Sequence, residues 1–274
     1  MPSTSSSVHN TRRRQLIQAA ALSVLVPAAY PAEAQIALST AINRTARFRA
    51  LSQRCAKAHT QLFLEVMPEE ARVVLTTAQR LIQVGFDDLA RGSFPADVAQ
   101  QIALTRQEIG ALTRLLATAP TKTSIATVSA QADKVLAMAD KATTSLEAQA
   151  KQASAKLVNV AGRQRMLSQR LAKNYFLVAA GLESRPVRAQ LAQDSIEFIE
   201  ALGTLTSAPL STPHIRNELA LGQQQWMFFE SALARKPDMN AMRIVATTSE
   251  RLLEVMNNLT SLYESALKDL LGQA

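Results

Sequence analysis

Two arginine-rich segments of the chain carry the residues best suited to chemistry, and they are nearly the same segment. Residues 43–57 read NRTARFRALSQRCAK, and residues 159–173, which lie 116 positions later, read NVAGRQRMLSQRLAK. Nine of these 15 positions are identical, whereas the 26 positions that follow each segment share only two identities. Packing alone preserves the spacing of apolar residues, not arginines and glutamines. We call the segments box one and box two, and their polar identities predict a shared chemical task.

Helical spacing places one arginine of each box among small and apolar side chains. Steps of four and three residues from Leu38 reach Arg49, and the same steps from Ser154 reach Arg165, as in a coiled-coil seam. A charge in such a seam is costly unless a counter-charge meets it, and neither box contains an acid. Because a guanidinium donates two parallel hydrogen bonds to a planar oxyanion, we predict that Arg49 and Arg165 bind one. The supporting ligands are predicted to be Arg54, Arg170, Ser52 and Ser168.

The alternative is that the arginines form a solvated helix face, where their aliphatic stems cover apolar surface. Arg44, Arg47 and Arg163 fit that interpretation. The charge distribution favours a small anion as the partner. The chain has a formal net charge of +8, of which residues 1–34 carry +2 and the two boxes together carry +9. The remaining residues are therefore mildly acidic, at −3.

Composition and chain breakers predict the elements that hold the boxes. Alanine supplies 47 of 274 residues, aromatic residues make up 4%, and Gly and Pro together number 18. This mixture disfavours a β-sandwich or barrel and predicts an all-α protein. Breakers near positions 68, 93 and 120 recur near 184, 209 and 236. The repeat predicts two tandem four-helix bundles, over residues 35–150 and 151–274.

The junction between the two modules leaves two arrangements open. Residues 122–183 contain no proline and only two glycines. One continuous helix of about 60 residues would span roughly 90 Å and stack the bundles end to end. We favour this rod, in which each box pairs with its twin in a second chain and gives a homodimer. A break near residues 148–155 would instead place the bundles side by side, with Arg49 facing Arg165 within one chain.

The first 34 residues predict export. Arg12, Arg13 and Arg14 precede an apolar run that is too short to span a bilayer, and Ala32-Glu33-Ala34 fits a cleavage site. The adjacent arginines are typical of a twin-arginine signal, although an ordinary secretory signal is the alternative. We expect a mature chain that starts at Gln35 and is soluble in the periplasm.

Other chemistry is scarce in this sequence. His59 lies on the seam where the second copy has Tyr175 and is expected to pack there, and His214 follows Pro213 at a helix start. The single cysteine excludes a disulfide framework within the chain. No nucleophile, base or phosphate-loop motif is visible, so we expect no enzymatic activity, no metal and no cofactor. The export signal argues against a nucleic acid as the partner.

Box two also resembles a known motif. Residues 159–171, NVAGRQRMLSQRL, are similar to the P-box of nitrate and nitrite sensors of the NarX type and to the PilJ-type domain of chemotaxis transducers. The resemblance implies a periplasmic four-helix bundle that binds nitrate between two first helices. It places the anion contacts on Arg165 and Gly162 in box two, and on Arg49 and Ala46 in box one. Ala46 departs from the glycine, which puts binding by box one in doubt.

These observations together predict a periplasmic binding or sensor protein for nitrate or nitrite. The membrane helices and output domains usual in that family have no counterpart here, so we expect the chain to sense or carry the anion and to signal through a membrane sensor or transporter. The alternative is a ligand-free interaction module whose box arginines dock an acidic membrane receptor or sensor.

Overall fold

Every regular element in the described part of the chain is an α-helix. The computed structural model describes residues 36–151, 153–210 and 212–271, and these ranges contain no strand. The predicted all-α fold is therefore confirmed. The helices in chain order are α1 (Leu38–Phe63), α2 (Pro68–Ala90), α3 (Ala96–Leu116), α4 (Lys122–Ala150), α5 (Ala153–Ala179), α6 (Arg185–Thr206), α7 (Pro213–Leu233) and α8 (Met239–Leu270).

The predicted breakers lie where helices begin. Thr121, Ser184, Thr212 and Asp238 precede α4, α6, α7 and α8, and each side chain accepts a hydrogen bond from the backbone N–H three residues on. Such caps satisfy N–H groups that have no partner within the helix. Proline occupies the first turn of α2, α6 and α7, where its missing N–H costs nothing.

Helices α5–α8 repeat the boundaries of α1–α4. The last residues of α1 and α5, Phe63 and Ala179, are 116 positions apart. Both ends of α3 and α7, and the first residues of α4 and α8, are separated by 117 positions. One extra residue therefore lies in the second half before α7. In each half the first helix packs on the second and fourth, and the third packs on the fourth.

Helices α1 and α5 pack against each other at the centre of the described chain. Arg49 of α1 contacts Asn159 of α5, and Arg165 of α5 contacts Asn43 of α1. A Cβ atom built on Gly162 would lie 3.0 Å from the Cβ of Ala46, midway between these contacts. Residue numbers rise along one helix as they fall along the other, so α1 and α5 are antiparallel. The crossing lies on an approximate two-fold axis that relates the two boxes.

The prediction of end-to-end bundles joined by one long helix is wrong. Lys151 adopts a left-handed conformation, with φ 50° and ψ 26°, and ends α4. A continuous helix would leave the small-residue faces of α1 and α5 without a partner in their own chain. Folding back buries both faces in one core that spans the two halves. The side-by-side alternative is the observed arrangement.

Two further observations concern membranes and export. No helix within the described ranges is both long and apolar enough to cross a bilayer. The export signal predicted for residues 1–34 lies outside the described residues.

Candidate anion site

Arg49 and Arg165 lie together at the α1–α5 crossing. Their Nη2 atoms are 3.5 and 3.2 Å, respectively, from the point that a Cβ on Gly162 would occupy. Arg49 is 1% exposed and Arg165 is 2% exposed, so both guanidinium groups are removed from water. Two like charges at close range in a core need a counter-charge nearby.

Arg49 has its counter-charge within the protein. Its Nη1 donates to Oδ1 of Asp140 in α4 at 2.6 Å. Its Nη2 donates to Oδ1 of Asn159 at 2.8 Å, and its Nε donates to the carbonyl oxygen of Ala46 at 3.3 Å. Burial lowers the pKa of Arg49, and the Asp140 carboxylate opposes that shift. All three nitrogens of this guanidinium are satisfied without a ligand.

Arg165 has no such counter-charge. No carboxylate of the described residues forms an ion pair with it, and its Nε is buried without a hydrogen-bond partner. Its other contacts are two long hydrogen bonds of 3.5 Å, from Nη1 to Oδ1 of Asn257 and from Nη2 to the carbonyl oxygen of Asn43. Burial lowers the pKa of Arg165 well below its usual value, and the charges of Arg47 and Arg49 lower it further, whereas the charge of Glu264 partly opposes that shift. Arg165 is thus a buried cation with no ion pair among the described residues and with an unmet donor.

The contacts of both boxes come from one pattern of residues on α4 and α8. We call this pattern the acidic stripe, and it occupies three positions at seven-residue spacing on each helix. The positions related by 117 residues make related contacts, which shows that they are structural equivalents. The pairs are Asp133 and Glu250, which bind the box lysines; Asp140 and Asn257, which contact the buried arginines; and Glu147 and Glu264, which accept from Asn159 and Asn43. Asn257 alone of the six is uncharged.

The remaining predicted ligands point away from the crossing. Arg54 forms an ion pair with Glu250 of α8, and Arg170 forms a two-pronged pair with Asp194 of α6 at 2.8 and 2.5 Å. The hydroxyl groups of Ser52 and Ser168 donate to the backbone carbonyls of Arg49 and Arg165. Arg54 and Arg170 would have to release a carboxylate to bind an anion. Among the four arginines predicted as ligands, Arg165 is therefore the one with a free donor.

The three arginines interpreted as surface charge differ from one another. Arg44 donates to Asp88 at 2.6 Å, and Arg163 is paired with Glu197; both are partly exposed. Arg47 forms no ion pair with the described residues, and burial together with the charges of Arg44 and Arg54 lowers its pKa.

A groove of about 480 Å³ lies between α1, α2 and α8. Its walls are partly apolar and carry charged side chains of both signs, namely Arg47, Arg54 and Arg251 with Glu70, Glu250 and Glu254. Arg47 lines this groove, and so does Asn257, whose side chain also contacts Arg165. Arg165 itself is 2% exposed and does not line the groove, so Asn257 is the side chain that connects the groove with Arg165.

Gly162 permits the close approach of α1 and α5. An alanine there would place its Cβ 3.0 Å from the Cβ of Ala46 and 3.2 Å from Nη2 of Arg165. Gly162→Ala is expected to lower the free energy of unfolding by about 1–3 kcal/mol, because an added methyl in a filled contact forces the backbones apart. Urea unfolding measures this change.

The matched control is Gly110→Ala in α3, where the nearest atom would be Nη1 of Arg114 at 3.7 Å. That change is expected to stabilise by up to about 1 kcal/mol through helix propensity. The double variant Ala46→Gly/Gly162→Ala should recover part of the loss. Equal stabilities of Gly162→Ala and the wild type would contradict the contact.

Reasoning from the boxes missed Asp140 and Asn257. The boxes contain no acid, but Asp140 lies 91 positions from Arg49 along the chain and meets it in space. The acidic stripe was visible as acids at seven-residue spacing in residues 133–147. The equivalent positions in α8 lie 117 residues later. An alignment of the two halves at the 116-residue offset of the boxes therefore pairs Asp140 with Met256 instead of Asn257.

Comparison with known families supports the resemblance seen in box two. Residues 149–252 match the PilJ family model, type IV pili methyl-accepting chemotaxis transducer N-term. This segment is therefore similar to a sensory domain of chemotaxis transducers. The match includes Gly162 and Arg165 and ends before Asn257. Box one lies outside it, so a second PilJ copy stays a prediction. No curated protein and no solved structure matched the chain.

Proposed function

We propose that this chain is a periplasmic sensor or carrier protein that binds a small oxyanion, nitrate or nitrite, at Arg165. The observation that carries the proposal is a buried guanidinium with an unpartnered Nε and no ionic partner among the described residues. An oxyanion beside it would supply the counter-charge and accept the unused hydrogen bond. The PilJ match supports a sensory role for the same segment.

The alternative of a ligand-free docking module is less favoured by burial. A partner protein must reach the arginines that it recognises. Arg49 and Arg165 are almost fully enclosed, and the side chains of Arg54 and Arg170 are 12% and 13% exposed. The box as folded therefore offers an acidic partner little surface.

Calorimetric titration tests the proposal. Protein purified from the periplasmic fraction, where the expected first residue is Gln35, is titrated with nitrate, nitrite, sulfate and chloride to millimolar concentrations. Nitrate or nitrite is expected to release or absorb heat in a saturable manner. Arg165→Met should weaken that binding by at least about tenfold, which corresponds to losing one charge-assisted contact.

Two controls accompany the titration. Arg49→Met removes the equivalent arginine, which already has a carboxylate partner, and should weaken binding less than Arg165→Met. Arg188→Met removes an arginine whose side chain is 68% exposed and paired with Glu183, and it should leave binding unchanged. Absence of heat with both nitrogen oxyanions would refute nitrate and nitrite as ligands, and equal losses at Arg49 and Arg165 would refute the assignment to Arg165.

A further inference from the structure

Each of the two buried arginines contacts the fourth helix of its own half at an equivalent position, and the two contacts differ in charge. Asp140 and Asn257 occupy equivalent positions of the acidic stripe, 117 residues apart, and each presents Oδ1 to Nη1 of its arginine. Aspartate and asparagine have nearly the same size and shape. The carboxylate lies 2.6 Å from Arg49, whereas the amide lies 3.5 Å from Arg165. At this contact the two positions thus differ by one unit of negative charge, and Arg165 also lacks the Nε hydrogen bond that Arg49 makes to the carbonyl oxygen of Ala46.

We propose that this Asp/Asn difference makes the protein bind one anion per chain. Asp140 acts as a built-in counter-ion that closes the Arg49 position, and neutral Asn257 leaves the Arg165 position open to an anion from the groove. This inference rests on the proposed function and adds to it the residue that decides which of two similar positions binds.

Charge and access both support this role for Asn257. A carboxylate at position 257 would neutralise Arg165 and repel an arriving anion, since like charges in a poorly solvated site strongly disfavour each other. Asn257 lines the groove, so its side chain stands between solvent and Arg165. The side chain of Asp140 is 39% exposed, so solvent also reaches the Arg49 position once the carboxylate is removed.

Reciprocal substitutions test the inference. Asn257→Asp should weaken nitrate binding by about tenfold or more, because it supplies Arg165 with an internal anion. Asp140→Asn should raise the calorimetric stoichiometry from one to two nitrates per chain. The double variant Asp140→Asn/Asn257→Asp should return the stoichiometry to one, with the site moved to Arg49. Asn258→Asp is the matched control, because it adds the same charge at an exposed neighbouring position and should leave nitrate affinity unchanged.

A second readout does not depend on binding. Without nitrate or chloride, the melting temperature of Asn257→Asp should exceed that of the wild type, because a buried charge has gained its counter-ion. Wild-type protein that binds no nitrogen oxyanion would refute the proposed function. If the wild type binds nitrate, two results would overturn this inference and leave the proposed function standing. One is an unchanged nitrate affinity in Asn257→Asp, and the other is a stoichiometry of one in Asp140→Asn that folds normally. An unchanged melting temperature in Asn257→Asp also overturns it.

Discussion

Replacing Glu250 by glutamine is expected to lower the free energy of unfolding at pH 7 by about 3 kcal/mol. Glu250 of α8 accepts hydrogen bonds from Arg54 and from Lys57, both of box one, and so joins the two halves of the chain. The Lys57 side chain is fully buried. Removing one partner of a buried ion pair leaves an uncompensated charge in the core, which is among the most costly single changes.

The effect of Glu250 should depend on pH in a defined direction. Burial alone would raise the pKa of Glu250, but the charges of Lys57 and Arg54 outweigh burial and lower it from 4.5 to about 2. A carboxyl group whose pKa is lower in the folded state stabilises the fold above its unfolded pKa. The contribution should therefore be complete above about pH 5 and disappear as the pH falls toward 2.

Urea unfolding of the wild type and Glu250→Gln at pH 7, 5, 4 and 3 measures this dependence. The two stability curves should converge as the pH falls. Glu69→Gln is the control, because Glu69 pairs with Arg72 on an exposed helix face and should contribute less than about 0.5 kcal/mol. Parallel curves for the wild type and Glu250→Gln across this pH range would contradict the coupling to Lys57 and Arg54.

Arg165→Met and Arg49→Met are expected to change stability in opposite directions. In a buffer free of nitrate and chloride, Arg165→Met should raise the free energy of unfolding by about 2 kcal/mol, because it removes a buried charge that lacks a counter-ion. Arg49→Met should lower it by a similar amount, because it breaks an ion pair and the hydrogen bond to Asn159. Chemical unfolding of the three proteins measures both changes.

Nitrate should reduce the advantage of Arg165→Met. A ligand that binds only the folded state stabilises it, by about 2.7 kcal/mol at a hundred times its dissociation constant. Added nitrate is therefore expected to stabilise the wild type and leave Arg165→Met unchanged. A loss of stability in both arginine variants in nitrate-free buffer would show that Arg165 is neutralised in some other way.

The helices and the crossing residues follow from local sequence, but the path of the chain between the modules does not. Caps and prolines mark the starts of α2, α4, α6 and α7 because they act within one helical turn. The turn at Lys151 has no such mark, since the left-handed residue is a lysine rather than a glycine. Left-handed backbone costs an ordinary residue about 1–2 kcal/mol, and burial of α1 against α5 outweighs that cost. The free energy gained by burying α1 against α5 can be seen only in the packed structure.

The same distinction applies to the candidate site. The spacing of Arg49 and Arg165 on their helices predicts that both are buried, and both are. The side chains that contact the two guanidinium groups could not be predicted from the boxes, because Asp140 and Asn257 lie on the fourth helix of each half. An arginine that has no acidic residue near it in the sequence can therefore still have one near it in the folded chain.

Because α1 and α5 cross within one chain, the two equivalent arginine positions can acquire different substitutions. Between two identical chains, every substitution appears on both sides of the axis, so both positions must have a counter-ion or both must lack one. Covalent connection removes this constraint and also fixes the effective concentration of one helix near the other. The Arg49 position can then stabilise the fold while the Arg165 position accepts an anion from solution. The packing of α1 against α5 does not weaken on dilution, because both helices belong to one chain.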